Sequence, residues 1–418
     1  MPSAVRDVVR GRTEGLVGVR RLTLARLERQ LLIAGDVAGL RLRSTLSAGK
    51  APGAVNLVLD GSHQLISGTA SVDNRLSSSL SRLQFGTSIA INSALGQGEQ
   101  IYGSLISNQN FDRTFSDDPR MRVFGVGVVM PLGHDGLTAT PEFTDSRTHG
   151  RAQTGAVDSP GHLQRWSMRV AYPLIRSRTE TLSVSGSIEH LSQVNAAPQI
   201  HTEINRDEYT SMRGSIDWAG ATWWGAPLLI SVSGAQGLGG RDGAHLAVPL
   251  SRQGSGPTFS KAGFNLQYSQ GLPMDGLHAD FMLSGQTSFN AAVFRSEQFS
   301  LDGTNLISGL PPGALSVDRG LAARGELVKA YSFAIGGVSR TASPYLFAAA
   351  GAGSAERPTS VERAHISGVS FGAGVRGDFA LDNARKGLSL GLELARQYSD
   401  APGVARSTRL SFLAASRF

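Results

Sequence analysis

Residues 408–418 read Thr-Arg-Leu-Ser-Phe-Leu-Ala-Ala-Ser-Arg-Phe and end the chain on an aromatic residue. In an extended strand, successive side chains point to opposite faces. One face of this segment then carries Leu410, Phe412, Ala414 and Phe418, and the other carries Arg409, Ser411 and Arg417. Because the apolar and polar residues separate with a period of two, the segment is predicted to be a β-strand with one apolar and one polar face.

A chain that closes on such a strand resembles a bacterial outer-membrane β-barrel, and the alternative is an edge strand of a soluble β-protein. The composition favours the barrel, since 51 of the 418 residues are Gly and only 17% are charged. Cys is absent, which excludes disulfides, Cys-ligated metals and thiol chemistry. No segment approaches the roughly 20 consecutive apolar residues of a transmembrane helix, so a bilayer would be crossed by strands.

Alternating apolar and polar residues recur from about residue 65 to the end, and their number predicts a barrel of about 16 antiparallel strands. Short and long connections alternate between these strands. The predicted short turns are 95–100, 131–137, 175–180, 221–228, 272–277 and 382–387, and the long connections are 108–119, 149–162, 194–207, 237–257, 354–365 and 399–407. The connection at 331–344 is longer than the short turn expected there. Short turns are typical of the periplasmic side, which places both termini in the periplasm when the strand number is even.

Residues 1–61 precede the predicted barrel, which spans 62–418. Leu24, Leu27 and Leu31 recur at helix spacing, and residues 54–59 have the pattern of a strand, so a small α/β unit is predicted. Ten Arg or Lys and four Asp or Glu lie in residues 1–50, so most of the net charge of +7 belongs here. The interleaving of these Arg residues with apolar ones, without stacking aromatics, favours a solvated helix face over a nucleic-acid site. The first residues show no secretory signal pattern.

One motif suggests an enzyme. Residues 368–372 match the G-x-S-x-G pattern of acyl hydrolases, which requires the Ser to lie at a turn between a strand and a helix. Here it lies within a predicted strand, and chance matches are expected in a chain rich in Gly and Ser. The nine His lack metal-ligand spacing, and no Gly-rich phosphate loop precedes a helix. The sequence therefore predicts no catalytic residue, no metal site and no cofactor.

Residues 296–327 are predicted to contain a long loop between two strands, and such loops are usually functional. Their distinctive residues are Glu297, Gln298, Phe299 and Gly303 before the loop, and Asp318, Arg319, Gly320 and Glu326 after it. This segment resembles the transporters of two-partner secretion, the haemolysin activation/secretion proteins of the ShlB/FhaC/HecB type. In that family, E-Q-F-x-x-G-G precedes a long loop and G-D-R-G…E-L follows it.

The resemblance extends over most of the chain. Leu27 to Leu32 resemble the last helix of the second periplasmic POTRA domain of the family, and residues 47–59 resemble the final strand of that domain. In the barrel, residues 72–74 resemble the start of the first strand and residues 96–100 resemble a G-x-G-D-Q turn. Residues 344–351 resemble the P-Y-x-F-x-D-x-G strand. The family normally has a signal peptide, a plug helix and two POTRA domains. The resemblance therefore implies that residues 1–61 are a partial POTRA-like segment. Leu27, Leu31 and Leu57 of this segment are expected to contact the protein that the transporter exports, which we call the client.

The sequence departs from the family at two positions that belong together. The family loop, expected here at 304–320, folds back into the barrel and carries V-R-G-[YF], whose Arg pairs with the Asp of P-Y-x-F-x-D-x-G. The corresponding residues here are Ile307, Ser308, Gly309 and Leu310 in the loop, and Phe347, Ala349 and Gly351 in the strand. Losing one partner of a buried ion pair costs on the order of 3–5 kcal/mol, whereas losing both can be nearly neutral. We expect packing, backbone contacts, Asp318 and Arg319 to hold this loop instead.

The resemblance implies an outer-membrane transporter that exports one large secreted protein, such as a haemolysin or adhesin, in unfolded form. The expected partners are this client, outer-membrane lipid and the barrel assembly machinery that inserts the chain, with no nucleic acid. Two other functions stay open, an insertase-like assembly factor of the same superfamily and a passive porin. An assembly factor would affect other barrel proteins regardless of the client, and a porin needs neither the loop flanks at 297–303 and 318–320 nor a POTRA segment.

Overall fold

The computed structural model describes residues 1–50, 53–77, 79–150, 159–197, 201–242, 247–310, 312–335, 338–360, 362–382 and 386–418. Two helices, α1 (Ser3–Thr13) and α2 (Leu24–Gly35), precede all strands. The strands before the long loop are β1 (Leu40–Ala48), β2 (Val55–His63), β3 (Ile66–Asp73), β4 (Gln84–Asn92), β5 (Gln100–Asn108), β6 (Met121–Leu132), β7 (Leu137–Thr148), β8 (Gly161–Arg176), β9 (Thr181–Ala197), β10 (Thr202–Ala221), β11 (Pro227–Gly240), β12 (Ser260–Gly271) and β13 (Leu277–Thr287). The later ones are β14 (Phe299–Ser300), β15 (Ser316–Val317), β16 (Arg319–Lys329), β17 (Tyr331–Ile335), β18 (Val338–Ser354), β19 (His365–Asp382), β20 (Lys386–Ser399) and β21 (Ser407–Arg417).

Strands β3 to β13 and β16 to β21 form one closed antiparallel barrel. Both β16 and β17 pair with β18, so they are two parts of one strand interrupted at Ala330. Over the described residues the barrel therefore has sixteen strands, as the alternation predicts. Closure pairs the edge strands with each other, which satisfies backbone groups that a bilayer would leave without hydrogen-bond partners.

The wall follows the predicted separation of faces, which β20 illustrates. Leu390, Leu392 and Leu394 are 42%, 45% and 52% exposed on the outer face. Glu393 and Gln397 have the opposite parity and point into the lumen, where Gln397 is fully buried. An apolar exterior suits lipid, and the polar interior is typical of a membrane barrel.

The C-terminal strand β21 closes the barrel against the first strand, β3. The two strands share five paired residues, from Leu413 opposite Asp73 to Arg417 opposite Thr69. Phe418 extends this seam because its backbone exchanges two hydrogen bonds with Gly68, of 2.9 and 3.0 Å. The C-terminal strand β21 thus completes the sheet.

Two connections differ from the prediction because strand pairing continues beyond the apolar pattern. The predicted long connection 194–207 is wrong, since β9 extends to Ala197 and β10 begins at Thr202. The side chains of Asn195 and Asn205 are joined across this hairpin by a 2.7 Å hydrogen bond. The predicted connection 331–344 is likewise mostly strand, formed by β17 and the first residues of β18.

Helices α1 and α2 pack with the two-stranded sheet β1–β2 at the short-turn end of the barrel. Their shared core contains Val5, Val9, Ala34, Val37 and Leu40. Asp36, after α2, accepts two hydrogen bonds of 2.7 and 3.0 Å from Arg176 of β8, which fixes the unit to the barrel. The predicted solvated helix face does not include Arg12, which is buried and donates a 2.6 Å hydrogen bond to the Ile33 carbonyl. Among the described residues, neither helix has the length and apolar character of a membrane span.

Candidate functional site

The connection between β13 and β16, residues 288–318, folds back and packs against the inner wall. A buried apolar cluster joins it to the wall, and its fully or largely buried members are Leu301, Ile307, Leu310, Leu315, Val317, Ala322, Ala349 and Ala401. The first five belong to the connection, and Ala322 and Ala349 belong to β16 and β18. Burial of apolar area is the main favourable term for such a contact. We call residues 298–317 the inner loop.

The inner loop has a defined fold of its own, centred on Asp302. The Asp302 carboxylate accepts hydrogen bonds from the backbone N–H groups of Gly313, Ala314 and Leu315, at 3.3, 2.7 and 3.3 Å. Strands β14 and β15 pair at the base of the loop. Gly303 has a φ of +142°, a conformation that L side chains rarely adopt. These contacts join residues of the loop to one another and do not involve the wall.

Two wall glycines make room for the apolar side chains of the loop. A Cβ added to Gly368 would lie 2.8 Å from the Leu315 Cδ1 atom and 3.3 Å from Ile307 Cδ1. One added to Gly351 would lie 3.2 Å from the same Ile307 atom. All three distances are shorter than ordinary van der Waals contacts, so the absence of side chains at Gly351 and Gly368 is what lets the loop approach the wall. In the G-x-S-x-G motif, Gly368 therefore has a packing role.

Gly368→Ala is expected to destabilise the inner loop by about 1–3 kcal/mol, because the added methyl group overpacks a buried site. Limited proteolysis of the purified barrel within residues 298–317 measures the effect as faster cleavage. Gly391→Ala is the matched control, since the nearest atom to its added Cβ is Leu413 Cβ at 3.8 Å. Equal cleavage rates for the two variants would contradict the packing role.

Glu297 anchors the start of the inner loop to the barrel wall. Its buried carboxylate forms an ion pair with Lys261 of β12 at 2.8 Å and accepts a 3.1 Å hydrogen bond from Arg213 Nη1 of β10. The Tyr209 hydroxyl donates to the same carboxylate. Burial alone would raise the pKa of Glu297, but Lys261 and Arg213 together hold that pKa below its ordinary value. Glu297 is thus ionised and paired at neutral pH.

Asp318 anchors the end of the inner loop and is completely buried. Its carboxylate pairs with Arg252, from the connection between β11 and β12, and accepts hydrogen bonds from the backbone N–H groups of Val293 and Glu356 at 3.3 and 2.6 Å. One side chain therefore joins three connections on the long-loop side of the barrel. The neighbouring Arg319 is 45% exposed at its side chain and pairs with Glu356 at 3.0 Å.

The tip of the inner loop carries Ser308, Gly309 and Leu310. The Ser308 N–H donates a 3.2 Å hydrogen bond to the Ser370 hydroxyl of β19, and the Ser308 hydroxyl accepts one of 3.0 Å from Arg324 of β16. Gly309 has a φ of +91°, and a Cβ added to it would lie 3.2 Å from Ala395 Cβ. Ser370 of the G-x-S-x-G motif thus holds the loop backbone.

Ser308→Arg alone is expected to destabilise the barrel by on the order of 3–5 kcal/mol, because it places a second guanidinium beside the buried Arg324. Combining it with Ala349→Asp supplies a carboxylate in the same apolar cluster, so the double variant is expected to recover most of the loss. Urea unfolding of the barrel in detergent measures both. Equal losses in the single and double variants would count against the correspondence of Ser308 and Ala349 with the family ion pair.

The structure brings the predicted loop and wall residues together. Ile307, Ser308 and Leu310 lie against the wall that contains Ala349 and Gly351. The remaining predicted residues lie around this contact: Gln298 within 3.5 Å of Asp318, Phe299 beside the apolar cluster, Gly320 against Val317, and Glu326 and Phe347 beside Arg324. Their roles in transport stay predictions.

Sequence reasoning missed four residues that contact the loop tip or the two ends of the loop, and one wall residue behind them. The four are Arg324, Ser370, Arg252 and Lys261, and the fifth is Glu393, which pairs with Arg324. Arg324 was predictable from the alternation of side chains along a strand. It lies two residues before the predicted Glu326, so both side chains are on the same face of β16, which is the lumen face. Arg252 lies in a connection and gives no such signal.

The predicted client-contact residues Leu27, Leu31 and Leu57 are partly exposed on the N-terminal unit. Leu57 pairs with Leu46 across β1 and β2, and Leu46 is 55% exposed. Leu31 lines a cleft of about 300 Å³ between α2, β1 and the end of β8. Contact with a client at these residues remains a prediction. No cluster of potential metal ligands occurs in the part of the chain that the structure describes.

A family model described as haemolysin secretion/activation protein ShlB/FhaC/HecB matches residues 54–376. Among solved structures, CdiB from Escherichia coli is 18% identical with a TM-score of 0.76, over 100% of this chain and 74% of that one. CdiB from Acinetobacter baumannii is 16% identical with a TM-score of 0.68, over 95% and 69%. BamA from Haemophilus ducreyi lacking POTRA domains 1–3 is 11% identical with a TM-score of 0.55, over 99% and 82%. The search among curated proteins found no match.

Proposed function

The chain belongs to the haemolysin secretion/activation family ShlB/FhaC/HecB and is an outer-membrane transporter of two-partner secretion with a secreted protein as its partner, and from this premise we propose how the partner crosses. The client passes through the barrel lumen in unfolded form, and the inner loop moves aside to admit it. The observation that carries this proposal is that the loop packs against the inner wall and is bonded to the wall at its tip and its start, and to another connection at its end.

The bonds of the inner loop differ between its ends and its tip. At the ends, the buried carboxylates of Glu297 and Asp318 pair with cations from the wall and from another connection. At the tip, Ser308 contributes only neutral groups. Breaking a buried ion pair is more costly than breaking a hydrogen bond. The loop therefore moves by releasing its tip while its ends stay attached.

The N-terminal unit is proposed to be a partial POTRA-like segment on the periplasmic side, where both termini lie. Its attachment to the short-turn end of the barrel through Asp36 and Arg176 supports this orientation. The exposed leucines of the sheet and helix α2 suit an extended apolar segment of the client. Outer-membrane lipid surrounds the apolar exterior of the barrel, and the barrel assembly machinery inserts it.

The proposed function is tested by export of a candidate secreted client of the two-partner type that is produced in the same cells. Cells that produce the chain behind a signal peptide are compared with cells that lack it, and the client is measured in the culture medium. Export that depends on the chain supports transport. Unchanged export in its absence, or altered levels of unrelated barrel proteins without client export, would refute it in favour of another exporter or an assembly factor.

A passive porin is distinguished by a second measurement on the same cells. Uptake of a small hydrophilic dye reports an open pore, and client export reports the transporter. Dye uptake from a correctly inserted barrel, with no client in the medium, would point to a porin. Export with little dye uptake is the expected result, because the inner loop fills part of the lumen.

A further inference from the structure

Arg324 has an unusual position for a charged side chain in the barrel wall. It lies on β16, its side chain is completely buried, and its guanidinium carbon is 3.8 Å from the centroid of the Phe347 ring. On the neighbouring strand its paired residue is Ala349. Ala349 stands where the resemblance described above places an aspartate. In this chain the buried cation, Arg324, therefore lies on the wall, beside Ala349, the position at which the family has an aspartate.

The wall itself neutralises Arg324. The guanidinium donates to Glu326 at 2.7 Å and to Glu393 at 2.6 Å, and Arg376 pairs with Glu326 at 2.8 Å. These four side chains comprise two cations and two anions. Because they come from β16, β19 and β20, the cluster is electrically balanced without any contribution from the inner loop.

One nitrogen of Arg324 remains for the loop. Its Nη1 atom donates to the Leu306 carbonyl at 3.3 Å and to the Ser308 hydroxyl at 3.0 Å. Both acceptors are neutral. Charged donors form stronger hydrogen bonds than neutral ones, so this nitrogen fixes the loop tip without requiring a charge on the loop.

We propose that Arg324 is the positioning residue that holds the inner loop closed, and that it supplies from the wall the cation that the loop lacks. The inference rests on the proposed displacement of the loop and names the contact that is released. When the tip leaves, Arg324 keeps Glu326 and Glu393 as partners. Loop release therefore leaves no buried charge without a partner. The free energy needed to break the tip contact is for this reason lower than that needed to break an ion pair between loop and wall.

The test moves the cation from the wall to the loop. Arg324→Ser, Ser308→Arg and the combined Ser308→Arg/Arg324→Ser variant are compared with the wild-type barrel in planar lipid bilayers, where the fraction of time that the pore conducts is measured. Arg324→Ser is expected to raise the ratio of open to closed time about tenfold, because the loop loses its hydrogen bonds to a charged donor. The combined variant restores a cation beside Glu326 and Glu393, but this cation belongs to the loop, so loop release would leave both carboxylates without it. The ratio is therefore expected to fall to that of the wild type or below it.

Heat-modifiable mobility on gels shows whether each barrel is folded. If the folded combined variant conducts as often as Arg324→Ser, the positioning role is wrong and Arg324 serves only the wall. If Arg324→Ser fails to fold, the same comparison uses Arg324→Gln, which is shorter than Arg and uncharged but keeps an N–H donor, with and without Ser308→Arg. Pore closure is measured without client. The result for the contact between Arg324 and the loop tip is therefore independent of whether the wild-type chain exports its client.

Discussion

A disulfide between Gly309→Cys and Ala395→Cys is expected to reduce client export to the background level, and reduction of the disulfide is expected to restore it. The two Cβ positions are 3.2 Å apart, close to the roughly 3.5–4.5 Å that a disulfide requires. Gly309 lies at the loop tip and Ala395 on β20, so the bond fixes the tip to the wall. The natural chain contains no Cys, so no other thiol competes. This prediction has the largest expected effect because it blocks the proposed movement completely.

The measurement is client in the medium before and after addition of dithiothreitol, with disulfide formation followed by gel mobility. The single Gly309→Cys variant shows the effect of a side chain at a residue whose φ is +91°. A second disulfide, Gly391→Cys with Leu413→Cys, is the matched control because it joins the paired strands β20 and β21 with Cβ atoms 3.8 Å apart. Full export through a barrel whose loop disulfide has formed would rule out displacement of the loop tip.

Asp318→Ala is expected to destabilise the barrel by on the order of 3–5 kcal/mol, the second-largest effect. The substitution leaves Arg252, itself only 6% exposed, without its anion and also removes the acceptor of two backbone N–H groups. An Arg252→Met/Asp318→Ala double variant removes both charges and is expected to be more stable than Asp318→Ala alone. Urea unfolding in detergent measures these free energies.

Arg319→Ala is the control for the Asp318 prediction. Arg319 is adjacent in sequence and also forms an ion pair, but its side chain is 45% exposed, so about 1 kcal/mol or less is expected. Equal losses for Asp318→Ala and Arg319→Ala would show that burial of the Asp318 pair is not what stabilises the end of the inner loop. A double variant as unstable as Asp318→Ala would show that the lost backbone contacts dominate.

Strand alternation predicts the barrel because it is a local property. Leu390, Leu392 and Leu394 share one face of β20 because successive side chains alternate, and each strand repeats this signal. The limits of β9, β10 and β17 were harder to predict, since their ends continue by backbone pairing after the apolar pattern stops. Hydrogen bonds between backbones do not depend on side-chain polarity, so the pattern there carries no information about where a strand ends.

The inner loop shows what depended on the tertiary structure. Its flanks, with Glu297 and Asp318, were identifiable from their order along the chain, and so was the absence of the loop arginine at Ser308. The proposed replacement of this cation by Arg324 depends on two features of the tertiary structure. The strand register places Arg324 opposite Ala349, and the fold brings Ser308 into contact with Arg324. Arg252 and Asp318 meet for a similar reason, across two connections 66 residues apart. The sequence by itself determined which faces meet lipid and lumen because that depends on neighbouring residues, whereas closure and register decided which buried charges are paired because those partners are distant in the chain.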